Sequence, residues 1–184
     1  EFSDTESAVS LTEEVTFNDK GNRVAVQLRC PLRRPADGPR RTTDLEETDM
    51  TAPRHLKILL VDDSDVARNM ETAMLRELGY TDVTTAVDGA DAVRILDAAP
   101  DFDLIVSDWN MPNRNGMELL EWVRADKRFD GVPFLMATAQ GVRRDVDRAV
   151  AAGAAGVVVK PFEPPELGEA IDEALVCAAR PGLV

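Results

Sequence analysis

Cysteine is scarce in this chain, with two in 184 residues, and the pair is badly placed for either of its usual structural uses. Cys30 and Cys177 lie far apart and outside any Cys-x-x-Cys spacing, which argues against a disulfide framework and a zinc site and fits a reducing cytosol. Long apolar runs are missing. Nothing approaches the ~18 consecutive apolar residues that span a bilayer, and no basic start, apolar stretch and small-residue cleavage site marks a secretory segment. Basic residues are in deficit, 21 against 34 acids for a net charge of −13, so attraction to nucleic-acid phosphates is disfavoured and no basic stripe offsets this. The expectation is a cytoplasmic protein that neither enters a membrane nor binds nucleic acid. A composition 44% apolar and 30% charged is that of a globular chain, long enough for one ordinary domain and an extra segment.

From Lys57 onward, short apolar runs alternate with helical patterns, the sign of successive βα units and a parallel sheet. Strands are expected at Lys57–Val61, Asp82–Ala86, Asp103–Ser107, Pro133–Ala137 and Gly156–Val159. Runs such as Leu104-Ile105-Val106 and Val157-Val158-Val159 do not alternate, as expected where helices cover both faces of a sheet. Apolar residues at helical spacing fill the intervals: Val66, Met70, Met74 and Leu78 in one, Met117, Leu120 and Val123 in another. Ser64 suits a helix N-cap, Gly79 and Gly153 suit helix ends, and Pro164-Pro165 suits a helix start. The pattern predicts an α/β domain over residues 55–180, with a five-stranded parallel doubly wound, flavodoxin-like sheet and five helices.

The first 54 residues read differently. Val15-Thr16-Phe17 and Val24-Ala25-Val26-Gln27-Leu28 flank Asn18–Asn22, a candidate β-hairpin within residues 1–28, and an isolated hairpin must dock to be stable. Residues 29–54, basic and proline-bearing and then acidic, read as a linker. Met50 suits a start for the following domain alone.

In an open parallel sheet, ligands bind beyond the carboxyl ends of the strands. Asp62 and Asp63 follow the first expected strand, Asp108 the third, Thr138 the fourth and Lys160 the fifth. Carboxylates gathered at one edge repel one another, and a hard divalent cation, Mg²⁺ by preference, relieves that repulsion. The same cation would neutralise an incoming phosphoryl group, so that a neighbouring carboxylate could act as nucleophile and form an acyl phosphate. Lys160 would supply a positive charge and Thr138 a hydroxyl to the transferred group.

Val61-Asp62-Asp63-Ser64, Ser107-Asp108-Trp109-Asn110-Met111-Pro112-Asn113, Met136-Ala137-Thr138-Ala139 and Val159-Lys160-Pro161-Phe162 together resemble the receiver domains of response regulators, the single-domain chemotaxis kind above all. The resemblance covers roughly residues 56–178. It implies a stoichiometric phosphoacceptor, not a turnover enzyme, which catalyses its own phosphorylation and dephosphorylation. Asp108 would accept the phosphoryl group from a histidine kinase. Asp63, Asp108 and the Asn110 carbonyl would ligate Mg²⁺ directly, with Asp62 acting through water. Asn110 and Gln140 would flank the attacking water, and Lys160-Pro161 would be a cis peptide. Thr138 would then draw its loop toward the phosphoryl group, and the face of the fourth helix, fifth strand and fifth helix would repack to meet an output protein. Most relatives carry an aromatic residue at the switch position occupied here by Val157, so coupling through a swinging ring is unavailable. Asn115 stands where relatives have aspartate and should cap the third helix comparably.

Plainer readings compete at several positions. His55 reads as a solvated side chain without a phosphodonor role, Trp109 as partly buried packing, and Arg143-Arg144 as a solvated helix face that lies on the expected output surface. An aspartate-nucleophile phosphatase of the haloacid dehalogenase kind would use Asp63-Ser64-Asp65-Val66-Ala67, but its pattern fails at Ala67 and leaves Asp108 idle. A receiver within a longer multidomain regulator or kinase is a further alternative; no DNA-binding module is expected within the chain as it stands.

Overall fold

The computed structural model describes residues 12–17, 23–29, 54–139 and 143–178. Seven strands form one sheet: β1 (Thr12–Phe17), β2 (Arg23–Arg29), β3 (Arg54–Val61), β4 (Tyr80–Ala86), β5 (Leu104–Asp108), β6 (Phe134–Thr138) and β7 (Gly156–Val159), in the spatial order β1-β2-β7-β6-β5-β3-β4. The five from β3 to β7 are mutually parallel, and α1 (Asp65–Glu77), α2 (Gly89–Ala98), α3 (Gly116–Ala125), α4 (Arg143–Ala151) and α5 (Pro164–Ala178) connect or follow them. β3 has β4 on one side and β5 on the other, so the chain leaves β3 in one direction and later resumes in the opposite one. That reversal opens a crevice at the carboxyl ends of β3 and β5.

The unbroken apolar runs are explained by two separate cores. Leu59 and Val61 of β3, Ile105 of β5 and Met136 of β6 pack with Ala92 and Leu96 of α2, Leu120 and Val123 of α3, and Val146 of α4. Their neighbours Ile58, Leu60, Val106 and Ala137 point the other way, to Leu75 of α1, Leu78 at its C-cap, and Leu167 and Ile171 of α5. Because side chains alternate along a strand, a sheet clothed on both sides needs apolar residues at every position.

Two expectations need correction. Asp108 and Thr138 are the last residues of β5 and β6 and not the first of the following loops, because Asp108 stays in register with Ala137 and Thr138 with Val159. The stripe expected on α1 holds only in its second half. Leu78 is buried and Met74 packs against the core, but Val66 is 69% exposed and Met70 55%, and the inner face of the helix carries Glu71 and Leu75 instead. An acid on that face made the periodicity start one residue away from the core.

The helix boundaries follow the expected chemistry. Ser64 Oγ accepts from the Ala67 amide at the head of α1, and Gly79 and Gly153, just past α1 and α4, have φ of 87° and 96°, the left-handed region that ends helices without a Cβ clash. β1 and β2 pair antiparallel, and β2 in turn runs antiparallel to β7 with Ala25 opposite Val158 and Val26 opposite Val157. β2 also lies against α5. The connecting residues 18–22 and residues 30–53 of the expected linker lie outside the described residues, while its expected ends, Arg29 and Arg54, belong to β2 and β3.

At the head of α3, Asn115 Oδ1 accepts from the Glu118 amide at 3.0 Å and Glu118 Oε2 accepts from the Asn115 amide at 2.9 Å, a reciprocal capping box. Replacing Asn115 with alanine should cost about 1 kcal/mol in urea unfolding, while Asn115→Asp should stay within a few tenths of wild type, roughly the spread seen among good caps.

Candidate functional site

Each strand end contributes one part of an acidic crevice. Asp62 leaves β3 with its amide bonded to the Ala86 carbonyl at 3.2 Å, and its carboxylate Oδ1 accepts from the Ser64 amide at 2.8 Å, tying the acid to the start of α1. Arg68, one turn into α1, donates to the Asp62 carbonyl at 2.7 Å. Asp108 at the end of β5 accepts from the Asn110 amide at 2.7 Å through Oδ2. The Lys160 amide donates to the Thr138 carbonyl at 2.8 Å, which locks the turn after β7 to the end of β6, and the Lys160–Pro161 peptide is cis.

The side chain of Lys160 then reaches back across the crevice. Its Nζ lies 2.5 Å from Asp62 Oδ2, 2.9 Å from Glu71 Oε1 and 2.9 Å from Asp108 Oδ1. Burial alone would pull the ammonium's pKa down, but the charge of Glu71 and the hydrogen bonds to Asp62, Glu71 and Asp108 outweigh it and hold Lys160 protonated well above the usual lysine range. Burial pushes the Asp108 carboxyl up from its ordinary value; Lys160 and the Asn110 amide oppose the shift and the charge of Asp62 adds to it. Glu71 is likewise raised, by burial first, with Lys160 opposing.

Of the residues singled out from sequence, Asp62 and Asp108 are each bonded to Lys160, Asp63 stands exposed beside Asp62, and Thr138 is buried at the end of β6. Asn110 is exposed next to Asp108, and Gln140 lies outside the described residues. Val157 is buried in the core beneath α2, α3 and α4, and Trp109 packs partly buried against the same core. His55 is exposed near the start of β3, away from the carboxyl edge. Asp65, the second acid of the dehalogenase reading, is exposed and paired with Arg68 within α1.

Among the described residues no three acidic side chains are arranged as a ready-made metal cage. Lys160 Nζ is bonded to both Asp62 and Asp108, and two carboxylates sharing one ammonium are within reach of one cation. With exposed Asp63 adjoining them, the oxygen donors suit a hard divalent ion such as Mg²⁺.

The loop from β5 to α3 fixes where Asp108 sits. Asn113 adopts φ 61° and its amide donates to Asp88 Oδ2 at 2.6 Å, while Asp88 Oδ1 also caps α2 through the Asp91 amide. Those bonds, that from Asp91 foremost, hold the Asp88 carboxyl below its ordinary pKa. Gly116 donates its amide to the Trp109 carbonyl at 2.9 Å, and a Cβ there would lie 2.3 Å from the Asp108 carbonyl oxygen. Only glycine allows this approach.

A profile for the response regulator receiver domain matches residues 58–172, most of the chain. The chain belongs to that family. Chemotaxis protein CheY1 of Helicobacter pylori strain J99 is 42% identical over 120 residues, which is 65% of this chain and 97% of the relative. Among solved structures, chemotaxis response regulator CheY4 of Vibrio cholerae superposes with a TM-score of 0.61 at 38% identity, covering 65% of this chain and 98% of that one. CheY of a CheX-CheY-BeF3-Mg²⁺ complex from Borrelia burgdorferi does so at 0.58 and 26%, covering 63% and 86%. The receiver fold expected from sequence is thus the fold observed.

Glu71 escaped sequence reasoning. It lies outside the four receiver motifs, and an acid within an amphipathic helix ordinarily faces solvent. The available signal was its spacing of four and seven from Leu75 and Leu78, which puts it on their face.

The Gly116→Ala receiver should lose about 1–3 kcal/mol of stability, the usual range for overpacking, as read by denaturant titration. A second expectation concerns pH. Asp108 keeps its proton in the folded state at pH values where the unfolded chain has lost it, so its contribution to stability falls as pH rises through its raised pKa. In metal-free protein, the urea midpoint of Asp108→Asn should therefore exceed that of wild type increasingly as pH rises above about 4, the ordinary carboxylate range.

Proposed function

We propose that this receiver domain is the phospho-accepting switch of a chemotaxis-type two-component system, phosphorylated on Asp108. The observation that carries the reading is the ammonium of Lys160 bonded at once to Asp62 and Asp108. In the step we propose, an Asp108 carboxylate oxygen attacks the phosphorus of a kinase phosphohistidine. The phosphorus–nitrogen bond breaks with its electron pair going to the imidazole, and an acyl phosphate remains on Asp108. Mg²⁺, held by Asp62, Asp63, Asp108 and the Asn110 carbonyl, would supply charge neutralisation to the phosphoryl oxygens. Lys160 donates to one of those oxygens and Thr138 to another. Water positioned by Asn110 and Gln140 later attacks the phosphorus, releasing inorganic phosphate and regenerating the Asp108 carboxylate. The Borrelia relative in complex with CheX, BeF3 and Mg²⁺ supports a cation and a protein partner for this fold.

Signalling on this reading passes from Asp108 to Thr138 and out through α4, β7 and α5. Val157 is too small to couple by a ring flip, so the movement of β6 must act on β7 through the Met136–Val157 and Thr138–Val159 pairs. The exposed Arg143 and Arg144 at the head of α4 offer an output partner positive charge. Cytoplasmic location is part of the same proposal, since a histidine kinase delivers its phosphoryl group there.

Incubation with acetyl phosphate and Mg²⁺ followed by intact mass should give a single phosphoryl adduct, absent from Asp108→Asn. An adduct of unchanged extent in that variant would overturn the assignment, and continuous phosphate release from a phosphomonoester would favour a phosphatase instead. Removing residues 1–49 should leave the adduct unchanged and speed amide deuterium exchange at Val157 and Val158, where β2 pairs with β7.

A further inference from the structure

The geometry points to Glu71 as a positioning residue for Lys160: a buried carboxylate on the inner face of α1 that keeps the ammonium at the crevice when Asp62 and Asp108 turn to other partners. This rests on the proposed phosphoryl chemistry for its use, though not for its structural content. An ammonium has three N–H donors, and in this structure three carboxylates face it: Asp62 at 2.5 Å, Glu71 at 2.9 Å and Asp108 at 2.9 Å. Two of these partners, Asp62 and Asp108, are the groups a cation and a phosphoryl group would engage. Glu71 alone is left to hold the lysine.

The placement is costly, which argues against accident. Glu71 is 6% exposed, shares its helix face with Leu75 and Leu78, and burial is the largest influence on its carboxyl group. A leucine there would extend an apolar stripe and avoid the desolvation of a carboxylate. The delivery is also fixed. Asp62 Oδ1 holds the Ser64 amide at the N-cap of α1, and Glu71 follows seven residues later, roughly 10 Å along the helix axis, on the side facing Lys160. Asp62 and Glu71 thus approach the ammonium from the two ends of one short, anchored stretch of chain.

The mechanism asks Lys160 to meet phosphoryl oxygens at a defined point. A lysine is a flexible four-carbon stem, and its side-chain entropy must be suppressed for it to act as a fixed charge. Glu71 suppresses it through one N–H and leaves the other two directed at the crevice.

The test compares the full chain with Glu71→Gln and Glu71→Leu. Glutamine keeps an acceptor for Lys160 Nζ and removes the charge; leucine removes both. In metal-free protein, the Lys160 ammonium should give a slowly exchanging ¹⁵N–¹H signal that survives in Glu71→Gln and broadens or vanishes in Glu71→Leu. The initial rate of adduct formation with acetyl phosphate and Mg²⁺ should fall about tenfold or more in Glu71→Leu and recover to within about threefold of wild type in Glu71→Gln. Thermal unfolding should show Glu71→Leu at least as stable as wild type, which separates lost positioning from lost folding. A Lys160 signal unchanged in Glu71→Leu, an unchanged rate in that variant, or a glutamine variant as slow as the leucine one would overturn the proposal. If wild type itself forms no adduct, the phosphoacceptor reading falls, and the ammonium signal still decides whether Glu71 anchors Lys160.

Discussion

A single ammonium shared by three carboxylates is the interaction to which the rest of the crevice is fitted. Without Lys160, Asp62, Glu71 and Asp108 would be three acids in partial or full burial at one sheet edge, deprived of the ammonium that all three share. Burial penalises each charge in such surroundings, and it is the main reason the Asp108 and Glu71 carboxyls are raised above their ordinary values, with Lys160 opposing the shift. The site is therefore electrostatically unfinished. It holds more negative charge than one lysine can neutralise, which is the condition under which a divalent cation binds and stabilises the fold at the same time.

The sheet exists, in this sense, to make that contact possible from residues nearly a hundred positions apart. Asp62 and Asp108 come together because β3 and β5 are neighbours at the topological reversal, and Lys160 arrives because its own amide is bonded to Thr138, one strand further on. Each acid is also pinned by its local backbone: Asp62 by the Ser64 amide, Asp108 by the Asn110 amide and by the glycine that lets α3 begin against its carbonyl. Rigid strands supply the coarse geometry and short loop bonds the fine geometry. The chemistry is then left to side chains that need move only slightly.

How much of this was legible in the sequence depends on whether a residue's place follows from its strand. Asp62, Asp63, Asp108, Thr138 and Lys160 sit at strand ends, and a doubly wound sheet converts strand-end positions into one edge by topology alone, so their convergence could be read from the βα rhythm. The five parallel strands themselves could be read from unbroken apolar runs, since both faces are covered. Glu71 could not, because an acid on a helix is read as solvent-facing, and here it shifted the inferred stripe onto Val66 and Met70, which are exposed. The turn residues between β1 and β2 suggested a hairpin, but nothing in its pattern indicated where it would pair. Edge pairing is made by backbone groups that every sequence possesses.

That pairing bears on the weakest step of the proposed signalling route. In the receiver, β7 is the last of the parallel strands, and its outer edge would otherwise present unpaired amides and carbonyls. Here β2 takes that edge, with Val26 opposite Val157. A strand bonded on both sides is harder to displace than a free edge strand, because any shift must break or slide two ladders in place of one. On the proposed reading, Val157, small and enclosed between β6 and β2, would be a poor lever but a good relay for a sliding motion. On the same reading, the small Val157 and the flanking strand are two parts of one arrangement: movement of Thr138 would reach the outer surface as a change in how β7 and β2 pair, and the surface offered to a partner would include the extension as well as α4 and α5.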